Sequence, residues 1–558
     1  MQRSRVTTFT LWVWLMTTPV AAQQVRPSTL AGRSTVYAPN GVVATSQPLA
    51  SAAGLAVLER GGNAVDAAVT AAAVLNLVEP HMTGIGGDMF AMVWWARDGK
   101  LEGLNASGRS GSLLTREALL ARGHRSMPGE GAEAVTVPGA LSGWAALLER
   151  YGTLTLAQAL EPAIRLAEQG FPVTPIIATD WQGQAARLRA DEGARATFLL
   201  EGVRAPQAGE WFRNPDLARS FRQIAADGPA ALYGGDLGRR LVEHLRGKGG
   251  FLTVQDLSNH ALSWVEPMAA AFRGYRLWEL PPNGQGIAAL EMLRILEPYD
   301  LAGMGHNSAA YLHHLIEAKK LASADLARFV GDPEQMTVAP DALLSDGFVA
   351  ARRAALDPAR AADRVEAGAP VTSSETIYLA AADADGNMVS FINSVFDYFG
   401  SGVVVPGTGF ALQNRGAGFT LAEGLPNTVG PGRLPFHTII PAFVTRTVDG
   451  REEPWLAFGV MGGAMQPQGH VQVLLNLLVF GMDLQHAIDA PRFRHLAGRR
   501  VAIEAPVGES VRQALAAMGH ELADERQVSF GGAQAVMRLV RGWAAGSDPR
   551  KDGLAVGR

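Results

Sequence analysis

Thr376 opens a nearly unbroken apolar run, Ile377-Tyr378-Leu379-Ala380-Ala381-Ala382, that ends at Asp383. Such a run suits a strand buried on both faces, which has no need of a hydroxyl at its first position. One chemistry does need it. If the backbone were cut between Glu375 and Thr376, the threonine would carry a hydroxyl nucleophile and a free α-amine on the same residue. That amine titrates at about pH 7.7–8.0 and can serve as a general base near neutrality. The segment from about Asp357 to Ser374, rich in Ala, Arg, Glu, Pro and Ser without a period, predicts a surface loop leading into the cut. Taken alone, Thr376 reads as an ordinary β-former at a strand start.

The following residues favour the chemical reading. Asp383-Ala384-Asp385-Gly386-Asn387 suits a three-residue hairpin loop with Gly386 in the left-handed region. The run Met388 to Ser394 then returns antiparallel, and pairing Asp383 with Asn387 sets Ser394 directly across from Thr376. Cross-strand Cβ atoms lie about 4.5–5.5 Å apart. A two-residue loop would put Val395 there instead. Further along, Met461-Gly462-Gly463 joins a strand to a helix starting near Pro467, where backbone N–H groups can hold a developing oxyanion. Arg109 follows a strand among glycines and can reach an anionic group.

Two other patterns are set aside. Met82-Thr83-Gly84-Ile85-Gly86-Gly87-Asp88 is glycine-rich, but it follows a helix and precedes a strand, the reverse of a dinucleotide-binding loop. His313 and Glu317 share a helical face and could offer two metal ligands. With no third ligand near them in sequence they read as a surface or helix–helix pair, so no metal and no organic cofactor is expected.

The elements that must position these residues span a chain of 558 residues, rich in Ala and Gly and close to neutral in net charge. Lys and Arg are dispersed, so nucleic acid is not an expected partner. The chain has no cysteine, which excludes disulfides, thiolate metal sites and a Cys nucleophile. Arg3 and Arg5, the apolar stretch Phe9 to Met16 and the small residues through Ala22 predict a signal peptide over 1–22. That stretch is short for a span of about 20 residues, so export to the periplasm or beyond, without a membrane anchor, is expected.

Apolar periodicity predicts helices over 52–59 and 64–77, the second capped by Asn63, then strands over 89–95 and 101–105. Helices are predicted from 139 to 151 and over 156–168, 179–195, 215–226, 235–246, 287–296 and 308–329, with one strand at 270–280. Beyond the hairpin, strands are predicted in 400–409, 410–414 and 455–460, followed by a helix to 480.

Taken together, the chain resembles the γ-glutamyltranspeptidase family of N-terminal-nucleophile hydrolases. The resemblance rests on Gly61-Gly62-Asn63-Ala64-Val65-Asp66-Ala67-Ala68, Gly84-Ile85-Gly86-Gly87 and Val137-Pro138-Gly139, and it continues through Glu317-Ala318-Lys319-Lys320-Leu321-Ala322, Asp383-Ala384-Asp385-Gly386-Asn387 and Gly462-Gly463. It implies an α+β fold, a four-layer αββα sandwich built jointly by a large subunit (23–375) and a small one (376–558) after self-cleavage. It also implies Thr376 as nucleophile, Ser394 as the hydroxyl beside it, Gly462 and Gly463 as oxyanion donors, and Arg109 on the substrate's α-carboxylate. The default substrate is glutathione, its γ-glutamyl group passing to water or an amino acceptor.

Several positions depart from the family pattern. Relatives carry an acid where Gly418 falls, Gln at Arg415 and Asn at Phe396, and a Ser-Ser pair that contacts the α-carboxylate at His437-Thr438. Losing the acid and gaining Arg415 suits an acyl group that ends in a carboxylate without a neighbouring ammonium. A glutaryl-type side chain, as in the cephalosporin acylases of this family, is therefore the alternative substrate. An uncleaved, inactive binding member is the alternative of another class.

Overall fold

The computed structural model describes residues 32–363 and 375–558, with no side-chain description for Glu375. The predicted signal peptide and most of the loop before Thr376 lie outside the described residues.

Two seven-stranded sheets stack face to face between two layers of helices. In spatial order the first sheet contains Leu554–Gly557, Val42–Thr45, Glu375–Ala382, Met388–Phe396, Asp88–Trp95, Lys100–Ala106 and Ser263–Val265. The second contains Val36–Ala38, Trp543–Ser547, Gly532–Arg538, Arg451–Met461, Ala442–Val448, Tyr275–Glu279 and Met268–Phe272. Both sheets mix strands from before and after residue 376, so neither portion could complete its sheet alone.

The helix Ala64–Val78 packs on the outer face of the first sheet, and all of its residues are buried. A reciprocal cap starts it: Asn63 Oδ1 accepts from the Asp66 amide, and Asp66 Oδ2 accepts from the Asn63 amide. On the far side Gly286–Leu296 and Met465–Leu478 cover the second sheet. This is the four-layer αββα architecture expected.

The strand headed by Thr376 is central to its sheet and buried on both faces. Tyr378 sends its ring toward the second sheet and its hydroxyl to Ser390 Oγ at 2.7 Å. Opposite it, a Cβ on Gly459 would lie 2.4 Å from that ring, so the sheets approach this closely only because position 459 has no side chain. Gly459→Val is expected to cost about 1–3 kcal/mol through overpacking. A urea unfolding curve checks this; an unchanged midpoint would contradict it.

Three sequence expectations are corrected. The helix foreseen at 179–195 is two, Pro175–Ala190 and Glu192–Phe198, because Asp191 turns extended and caps the second. The single strand foreseen at 270–280 is a hairpin whose turn residues Arg273 and Gly274 both take positive φ. The strands foreseen in 400–409 and 410–414 reduce to one bridge, Val404 to Ala411. Gly400, Gly402, Gly407 and Gly409 all adopt positive φ and keep the chain turning.

Candidate active site

The hairpin takes the three-residue loop. Ala382 pairs with Met388 and Ile377 with Asn393, Gly386 has φ 91°, and the register slips only at Glu375, which pairs with Phe396. Thr376 therefore faces Ser394, and its Oγ1 donates to Ser394 Oγ at 3.2 Å. Ser394 Oγ also accepts from the Phe396 amide at 2.8 Å and from Arg415 Nη2 at 3.3 Å. Thr376, Ser394 and Arg415 are all wholly buried.

Arg415 heads a short turn, Arg415–Gly418, at the end of the glycine-punctuated stretch. Its Nη1 donates to Thr438 Oγ1 at 2.9 Å, and its guanidinium lies over the Phe396 ring, 4.2 Å from the centroid. Gly418 has no room for a side chain, since a Cβ there would meet Phe436 O at 2.7 Å.

Beneath this group lies Asp88, which pairs across the sheet with Ser394. Its Oδ1 accepts from the Gly108 and Gly139 amides at 3.0 and 2.9 Å and from Gln413 Nε2 at 3.0 Å. Its Oδ2 faces His437 Nε2 at 3.0 Å. The Ile439 amide points at His437 Nδ1, so the imidazole carries its proton on Nε2 and donates to Asp88. Burial raises the Asp88 carboxyl to about 7 against the pull of Arg415, and it lowers Arg415 to about 9 against the pull of Asp88 and Asp397. For both groups desolvation outweighs their mutual attraction. Burial, helped by Arg415, keeps His437 neutral.

Gly462 and Gly463, with φ of 121° and 57°, turn the strand Arg451–Met461 into its helix. Gln285 ties them to the site, because its Nε2 donates both to Thr438 O at 2.6 Å and to Gly463 O at 2.8 Å. Arg109 is occupied elsewhere. Its guanidinium meets Glu334 at 2.8 Å, Asp332 at 3.5 Å and Gly432 O at 2.9 Å.

Sequence reasoning missed Asp88, Gln285 and Gln413. Asp88 had a signal: a carboxylate opening an apolar strand, on a register that reaches Ser394. Gln285 and Gln413 act across long sequence separations and had none. The sequence also left His313 and Glu317 without a third ligand, whereas the fold brings His520 beside them.

A central buried hairpin headed by a threonine and a serine, within two stacked antiparallel sheets flanked by helices, is the arrangement of N-terminal-nucleophile hydrolases. The chain matches the gamma-glutamyltranspeptidase family model over residues 50–558 and belongs to that family. It is similar to the glutathione hydrolase-like YwrD proenzyme of Bacillus subtilis (strain 168), with 37% identity covering 92% of this chain and 98% of that protein. It is also similar to the Acylase ACY 1 proenzyme of Pseudomonas sp. (strain V22), with 37% identity covering 88% of each. Among solved structures, cephalosporin acylase from Bacillus halodurans superposes with a TM-score of 0.89 at 43% identity, covering 96% of this chain and 98% of that one. Among the described residues no helix is long and apolar enough to cross a membrane.

Proposed function

We propose that the chain is an exported proenzyme that cuts its own backbone between Glu375 and Thr376 and then hydrolyses amides of carboxylate-bearing acyl groups. In maturation the Thr376 hydroxyl attacks the Glu375 carbonyl. The peptide becomes an ester as the nitrogen leaves, and water hydrolyses that ester to a Glu375 carboxylate and a free Thr376 amine. The products are a large portion, 23–375, and a small one, 376–558, held together as a heterodimer by their shared sheets. In turnover the same hydroxyl attacks the substrate's amide carbonyl while the α-amine takes its proton and passes it to the leaving amine. Gly462 and Gly463 donate to the oxyanion, and water or an amino compound then takes the acyl group.

The observation that carries this reading is the chain of contacts from Thr376 Oγ1 through Ser394 Oγ to Arg415. It supports Arg415, anchored by Thr438, as the group that meets an acyl carboxylate close to the nucleophile, with His437 as the neutral neighbour that orients Asp88. Arg109, already matched by two carboxylates, is the weaker candidate for that grip. The absence of any acid at Gly418 removes a partner for a substrate ammonium, and two similar proteins bear acylase names. The second reading, glutathione hydrolysis with γ-glutamyl transfer, is favoured by the name of another similar protein.

Hydrolysis of a glutaryl anilide is expected to exceed that of a γ-glutamyl anilide in kcat/KM. In fully processed Arg415→Met protein the glutaryl rate should fall by roughly 10- to 100-fold, the worth of one charge-assisted hydrogen bond, while an uncharged acyl anilide changes little. Preference for the γ-glutamyl substrate, or equal losses on both acyl groups in the variant, would reject the assignment of Arg415.

A further inference from the structure

The 21-residue helix Ala309–Phe329 presents His313 and Glu317 one turn apart, and both are buried. His313 Nε2 lies 2.8 Å from the backbone carbonyl of Asp357. A carbonyl only accepts, so that nitrogen holds the proton and Nδ1 carries a lone pair. This is the outer partner that metal-bound imidazoles ordinarily have, fixing both tautomer and ring orientation. The Nδ1 lone pair faces His520 Nε2 at 2.8 Å, and one ligand atom from each of His313, Glu317 and His520 lies within 4.8 Å of the others.

We propose that His313, Glu317 and His520 form a site for a divalent transition ion of the zinc type, separate from the Thr376 centre. Two imidazoles and a carboxylate leave a fourth position for water, a donor set that suits zinc. For His520 to bind, its ring proton must move from Nε2 to Nδ1, an atom that is buried and has no hydrogen-bond partner among the described residues. The incoming ion must also displace Lys320, whose ammonium holds Glu317 Oε1 at 2.7 Å. Lys320 is therefore a built-in competitor, and the site takes up metal against it.

The location gives the site a consequence. The same residues hold the segment that leads toward the proposed cut. His313 takes Asp357 O, Glu317 Oε2 accepts from the Ala362 amide at 3.2 Å, Lys320 donates to Ala362 O at 3.2 Å, and the Ala361 amide donates to Met518 O at 2.8 Å. His313 and Glu317 precede residue 376 and His520 follows it. In the mature protein the ion would bridge the two portions. Binding itself does not rest on the proposed cut; only the bridging does.

The test uses untagged full-length protein, stripped with chelator and titrated with Zn2+ and, separately, Co2+. The expected result is one equivalent of zinc at micromolar affinity or better and a cobalt spectrum with the intensity of a four-coordinate site. His520→Asn and His313→Asn should each weaken zinc binding at least tenfold, and Lys320→Met should tighten it by about tenfold. Wild-type protein that binds zinc no better than either histidine variant overturns the proposal. So does a Lys320→Met variant, folded by circular dichroism, whose zinc affinity is unchanged or lower. Repeating the titration on Thr376→Ala protein separates the two ideas, since an uncut chain that still binds one zinc ion upholds the site and bears only on the bridging.

Discussion

Thr376→Ala is expected to give a folded but uncut chain, with amide hydrolysis lowered by at least about 10⁴-fold, as happens when a covalent nucleophile is removed. The substitution deletes a hydroxyl whose one described bond, to Ser394, is 3.2 Å long, together with one buried methyl group, so its cost to stability is about 1–3 kcal/mol. Unfolding therefore cannot account for the loss. Thr376→Ser keeps the oxygen and should still process, more slowly, because without the methyl group the side chain visits more rotamers. The check is a denaturing gel beside a rate measurement. Two fragments from the alanine variant would mean that the cut is made by something other than this hydroxyl.

Asp88→Leu is the second large effect expected. Four buried donors converge on that carboxylate: the amides of Gly108 and Gly139, Gln413 Nε2 and His437 Nε2. A side chain of similar size with no acceptor orphans the two amides and His437 Nε2, while Gln413 Nε2 keeps Thr136 Oγ1 and Val137 O. Each orphaned donor costs roughly 1–3 kcal/mol, and partial rescue by movement still leaves a loss of at least about 3 kcal/mol. Self-cleavage should fail as well, since Asp88 sits on the register of Ser394 and fixes His437 beside Arg415. Asp88→Asn separates charge from shape. Its oxygen can still serve Gly108 and Gly139, but its NH2 group then points at the proton on His437. Stability should fall between wild type and Asp88→Leu in urea titrations. A leucine variant as stable as wild type would show that the hub is dispensable.

Much of the chemistry was legible because it is local. The turn Asp383-Ala384-Asp385-Gly386-Asn387 sets its own register, and that register alone predicts the meeting of Thr376 and Ser394. The Asn63 cap and the apolar helix after it are equally local. What could not be read depends on partners far apart in the chain. Val42–Thr45 lies between Glu375–Ala382 and Leu554–Gly557, a pairing that no periodicity announces. Arg415 was visible as a departure from the family pattern, but its contact with Ser394 depends on how the glycine-punctuated stretch 400–409 folds back. His520 reached His313 across 207 positions, and for that reason the third ligand went unseen.

The most direct test of self-activation is the intact mass and terminal sequence of purified, active wild-type protein. Two polypeptides are predicted, the smaller beginning at Thr376 with an unmodified amine. Full activity in material whose bond between residues 375 and 376 is whole would contradict the account.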